Sequence, residues 1–110
     1  MSTREFNTLE KRLDFLDFRQ DLLFRNNGIS RLLFEHEITR EEELLLMDLM
    51  DSYRTKISNG EKVTKSSFEN DVYSIIPSKN RDYHFCEFIT QNFMQEGRWQ
   101  EVFNTLYGQL

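Results

Sequence analysis

Residues 6–23 read FNTLEKRLDFLDFRQDLL, and they carry two apolar stripes at helical spacing. The first stripe follows a heptad pattern with one polar interruption, and its members are Phe6, Leu9, Leu13, Leu16, Gln20 and Leu23. The second stripe lies on nearly the opposite side of the predicted helix and consists of Phe15, Phe18 and Leu22. A helix that packs on one core needs only one apolar stripe. The sequence therefore predicts that this helix has a second partner, and we expect the first stripe to form an interface between copies of the chain.

The chain has 110 residues, which favours a single domain. Within it we expect an oligomerisation helix over residues 1–26 and a helical bundle over residues 27–110. Only 38% of the residues are hydrophobic, but the 10 phenylalanines supply large buried areas. The net charge of −5 disfavours binding to nucleic acids and to anionic membranes. A cluster of basic residues around residues 54–65 is most simply interpreted as solvated charge at a loop.

Cellular location is indicated only indirectly. The one cysteine, Cys86, excludes an internal disulfide and is typical of a reducing compartment. The first residues lack the apolar segment of a signal peptide, and the longest apolar run, residues 44–47, is too short to cross a bilayer. We therefore expect a soluble protein of the bacterial cytoplasm.

Sparse proline and glycine, together with 3.6-residue periodicity, predict an all-α fold: a compact bundle of five to six helices with no sheet. The first helix should run over about residues 3–25, with Ser2 and Glu5 as a capping box and Asn26-Asn27-Gly28 as its end. The expected later helices cover about residues 29–35, 40–58, 65–76, 81–95 and 98–107. Thr39 with Glu42, Thr64, and Asn80 or Asp82 are the expected N-caps. The core should come from the third to sixth helices and one stripe of the first.

Four segments give the chain a family resemblance. They are the leucines of the first helix, ITREE at 38–42, GEKVT at 60–64 followed by Phe68, and EGRWQEVF at 96–103. In these segments the chain resembles the YhaI-like family of small helical bacterial proteins, a domain of unknown function. The resemblance implies an all-helical fold and self-association, and it implies no activity.

No motif points clearly to catalysis, a cofactor or a metal. His36 and His84 could be combined in a two-helix metal site, but neither has a second ligand at suitable spacing except Glu87 after His84. Solvated charge around a helix start is the simpler interpretation of His36. Cys86 lies among apolar residues, which indicates a core thiol and not a nucleophile. We predict no catalytic, cofactor-binding or metal-binding residues.

Two functional hypotheses follow. The first is a non-enzymatic, self-associating helical protein that acts through protein contacts, with a coiled-coil seam along the heptad stripe. The alternative is an acidic regulatory or inhibitory binder, of phage or mobile-element origin, that covers a basic surface of another protein. An enzyme is the least supported class, because no acid–base or nucleophile pair is arranged locally.

Overall fold

Six α-helices with tight connections form the fold across residues 4–108, which are the residues that the structure, a computed structural model, describes. They are α1 (Leu9–Arg25), α2 (Gly28–Glu35), α3 (Arg40–Ser58), α4 (Lys65–Ile75), α5 (Tyr83–Gln95) and α6 (Gln100–Leu106), with a short 3-10 turn at Pro77–Lys79. No strand occurs in this part of the chain. The predicted all-α bundle is confirmed. No helix among these residues is both long enough and apolar enough to cross a membrane.

The central helix α3 begins where the sequence predicts. The Thr39 hydroxyl accepts a hydrogen bond from the Glu42 amide at 3.1 Å, and the Glu42 carboxylate accepts one from the Thr39 amide at 3.0 Å. This reciprocal pair satisfies backbone donors that the first helical turn leaves without partners. Arg4 binds the same carboxylate at 2.8 Å, so the cap also holds the segment that precedes α1. Thr64 and Asp82 cap α4 and α5 without a reciprocal bond: their side chains accept from the Ser67 and Phe85 amides.

The predicted start of the first helix is wrong. Helix α1 begins at Leu9, and Thr8 is its N-cap because its side chain accepts from the Lys11 amide. Ser2 lies outside the described residues, and Glu5 precedes the helix. Phe6 is therefore not helical; its ring packs against Phe15, with 5.0 Å between the ring centroids. Sequence periodicity extends the heptad back to Phe6, but the local cap at Thr8 ends the helix first.

Asn26, Asn27 and Gly28 were predicted together to end the first helix, but in the structure each has a different role. Asn26 ends α1 in the left-handed conformation, with φ 45°, as an asparagine tolerates. Asn27 caps α2 through a reciprocal pair with Ser30. Gly28 is the first residue of α2 and not part of the stop signal. A Cβ atom there would lie 2.5 Å from the Asn92 amide oxygen of α5, so a larger residue would require the Asn92 side chain to move.

The core includes α2, which the prediction left out. Helix α2 lies between α1 and α5 and buries Ile29, Ser30 and Leu33. From the other helices the core receives the stripes that the sequence predicts, with these members fully or almost fully buried: Phe18, Leu22, Leu46, Met50, Tyr53, Phe68, Val72, Phe85, Ile89, Phe93, Val102 and Leu106. Helix α1 thus packs on the bundle mainly through α2. Although α2 has only eight residues, it lies at the centre of the fold.

Helix α6 begins two residues later than predicted because Trp99 adopts the left-handed conformation, with φ 52°. This conformation directs the buried indole toward Phe93, with 4.9 Å between ring centroids, and allows its Nε1 to donate to Asp51 at 2.8 Å. The strain at Trp99 is offset by this packing.

Thr39→Ala should lower the free energy of unfolding by about 1 kcal/mol, because the first turn of α3 loses its side-chain acceptor. Denaturant titration followed by circular dichroism measures the change. Thr39→Ser retains the hydroxyl and is the matched control. An unchanged midpoint in the alanine variant would show that the capping box does not stabilise the protein.

Candidate functional site

An exposed apolar face runs along α1. Its members, called here the leucine face, are Leu9, Leu13, Leu16, Gln20 and Leu23. The four leucines are between 48% and 71% exposed, and Gln20 is also exposed. Phe15, Phe18 and Leu22 on the other side of α1 are at most 2% exposed. The two stripes in the sequence thus have different environments: one joins the core and the other faces solvent.

The buried side of α1 is held by aromatic and cationic contacts. The Arg19 guanidinium lies 3.8 Å from the centroid of the Phe34 ring and donates to the Phe34 carbonyl at 3.0 Å. The Arg25 guanidinium donates to the buried Glu43 carboxylate at 2.7 Å, which ties the end of α1 to α3. Both bonds involve a charged group and a partly desolvated setting, where such bonds are stronger than on an open surface. They fix the rotation of α1 about its axis and hence the direction that the leucine face takes.

Charges of opposite sign border the leucine face. By helical periodicity, Glu10, Asp14, Asp17 and Asp21 follow one edge, whereas Arg12 and Arg19 follow the other. Arg40 of α3 lies 3.6 Å from Asp14, 3.4 Å from Asp17 and 3.2 Å from Asp21. This single guanidinium offsets part of the repulsion along the acidic edge. Arg12 is exposed and forms no salt bridge with any residue from 4 to 108.

Five of the six residues predicted for the interface share this face, and Phe6 does not lie on the helix. The sequence prediction missed Phe24, which is 81% exposed, four residues after Gln20. Leu44 of α3, one turn beyond Arg40, is also exposed. The spacing of Phe24 from Gln20 was a visible signal.

The two histidines occupy different settings. His36 is half-buried against the Phe85 ring, and its Nδ1 lies 2.5 Å from the Lys79 Nζ. His84 is exposed beside Tyr83. Among residues 4–108 no group of three or more His, Cys, Asp or Glu side chains is placed to hold a metal ion.

Cys86 is fully buried, as the sequence predicts for a core thiol. Burial raises the pKa of its thiol to about 12. The thiol is therefore protonated at neutral pH, and a protonated thiol is a poor nucleophile.

Comparison of the chain with protein families, with characterised proteins and with solved structures gives no significant match. The resemblance to the YhaI-like family stays a prediction.

His36 should make stability depend on pH. Its pKa is lowered by burial and by the nearby Lys79 ammonium, so the unfolded chain binds the proton more readily than the folded one. The resulting stability is complete above the usual histidine pKa of about 6.5 and is lost as the pH falls below it. Urea unfolding at pH 7.5 and 5.5 should show a smaller decrease for His36→Gln than for the parent chain.

His84→Gln is the control for this experiment, because it removes an exposed imidazole and should leave the decrease unchanged. Equal pH dependence in the parent chain and in His36→Gln would contradict the assignment to His36.

Proposed function

We propose that this protein is a self-associating helical module, acting through protein contacts, and that the leucine face of α1 binds a second copy of the chain. The observation that carries the proposal is the exposure of four leucines at heptad spacing, directly opposite the side of α1 that joins the core. Single exposed leucines are common on protein surfaces, but several exposed leucines along one face of a helix are typical of an interaction site.

A second copy suits this strip because the strip is complementary to itself. Leucines at heptad spacing on one helix fit the spaces between leucines on another such helix. Helix α1 has 17 residues and is therefore about 25 Å long, which gives a narrow seam of little more than two heptads. Phe24 extends the apolar surface at the end of α1.

The strength of such a seam should be moderate. Full burial of a leucine side chain contributes roughly 1.5–3 kcal/mol, whereas association costs roughly 4–15 kcal/mol of lost freedom. Each copy has four partly exposed leucines, so the free energy gained by burying them is of the same order as the free energy that association costs. We therefore expect an equilibrium between monomer and oligomer that depends on concentration.

The alternative, an acidic binder of a basic surface, has less support. Its support is the small size of the chain and its net charge of −5. The strip of exposed apolar residues is the more specific feature of this helix.

Leu13→Asp combined with Leu16→Asp should convert the oligomer to a monomer of 13.4 kDa, because both charges would be buried in the seam. Sedimentation velocity over a range of concentrations measures the mass. Both leucines are exposed, so the circular dichroism of the variant should match that of the parent chain.

The matched control is Tyr83→Asp combined with Phe88→Asp, which places the same two charges on exposed hydrophobic residues of α5. This control should keep the mass of the parent chain. A parent chain that stays monomeric at high concentration, or a leucine variant of unchanged mass, would contradict the proposal.

A further inference from the structure

We infer that the copies associate with their α1 helices parallel and in register, an inference that rests on the proposed function and adds the orientation of the partner. The charges beside the leucine face and the place of Gln20 within it point to this arrangement independently of one another.

The heptad positions of α1 follow from the leucine face. Leu13 and Gln20 occupy the first core position, called a, and Leu9, Leu16 and Leu23 occupy the second, called d. The acidic edge then supplies the e positions, with Glu10 and Asp17, and the basic edge supplies the g positions, with Arg12 and Arg19. In a coiled coil the e and g side chains border the seam and select the partner and its direction.

The charges favour the parallel direction. In a parallel pair each g residue meets the e residue five positions later on the other helix, so Arg12 of each copy meets Asp17 of the other. In an antiparallel pair g residues meet g residues and e residues meet e residues. Arginines would then lie against arginines and acidic residues against acidic residues, which is unfavourable. The exposed Arg12, which lacks a salt bridge within residues 4–108, gains a partner only in the parallel arrangement.

Gln20 favours the same direction and sets the register. In a parallel pair a positions face a positions, so Gln20 of one copy lies opposite Gln20 of the other and the two amides can exchange hydrogen bonds. In an antiparallel pair an a residue faces a d residue, so Gln20 would face a leucine and lose its hydrogen bonds to water. Any shift along the axis has the same cost.

The placement of α1 in the fold is compatible with the parallel arrangement. The buried residues of α1 lie opposite the leucine face, so the rest of each copy extends away from the seam. Two copies can therefore be related by an axis parallel to α1 without bringing their bundles together.

Disulfide cross-linking tests the orientation. Gln20→Cys and Leu13→Cys, made as separate variants, should each form covalent dimers under mild oxidation, because each position would face its own counterpart. In any antiparallel arrangement at least one of the two pairs is separated by roughly 10 Å or more along the helix axis. Such a separation exceeds the reach of a disulfide. The parent chain is the control, because its buried Cys86 should not cross-link.

Reversing the charge of Arg12 is a second test, because it should weaken association in a parallel pair and strengthen it in an antiparallel pair. Arg12→Glu should weaken association by roughly tenfold in a parallel pair, because it replaces two attractive contacts with Asp17 by two repulsive ones. The neutral control Arg12→Gln should fall between this variant and the parent chain. In an antiparallel pair Arg12 lies near Arg19 of the other copy, and Arg12→Glu would strengthen association.

The outcomes separate the two proposals. A monomeric parent chain would overturn both of them. An oligomer that Leu13→Asp with Leu16→Asp dissociates, but that fails to cross-link at one of the two cysteine positions or is strengthened by Arg12→Glu, would overturn the parallel orientation and leave the self-association proposal standing.

Discussion

Helix α1 packs on the rest of the protein through one side only. That packing decides which α1 residues are buried in the core and which are exposed on the surface. Phe18, at the centre of that side, is fully buried, and the guanidinium groups of Arg25 and Arg40 lie 5.7 Å and 5.0 Å from its ring centroid. The same two arginines contact acidic residues across the boundary between α1 and α3. A helix fixed at one rotation by these contacts has its opposite side fixed as well. The exposure of the leucine face is thus a consequence of how Phe18 is packed.

Most of the fold could be predicted from local signals. Thr39 with Glu42, Thr64 and Asp82 begin helices because their side chains satisfy donors within three residues, and such signals are complete in a short stretch of sequence. The two stripes of α1 were also recognisable, since periodicity alone separates Phe15, Phe18 and Leu22 from the leucines. The sequence analysis assigned the heptad stripe to an interface, and its four leucines are exposed, whereas Phe15, Phe18 and Leu22 are buried.

The errors arose where a competing local or tertiary contact decided the outcome. Thr8 is as good a cap as Ser2, and periodicity could not choose between them; the helix begins at the later one, and Phe6 packs back on Phe15. Gly28 looked like a helix stop beside two asparagines, but it is the first residue of α2 and lies against the Asn92 side chain of α5. Trp99 stands beside residues with helical spacing in the sequence, yet its backbone is left-handed and its indole contacts Phe93 and Asp51. Contacts between distant residues of this kind leave no local pattern.

The two sides of α1 also indicate how the proposed association relates to folding. The core residues of α1 contact α2 and the centre of the bundle, whereas the leucine face contributes little to the buried set. A chain built in this way does not need a partner to bury its core, so the proposed association would add to stability by mass action and would not be a condition of folding. The cost of leaving the leucines exposed in the monomer is moderate because they form a narrow strip bordered by charge. That border discourages indiscriminate contact, and it restricts the surfaces that fit to those with matching apolar spacing and opposite charge. Helix α1 of another copy, aligned in the same direction, meets both requirements.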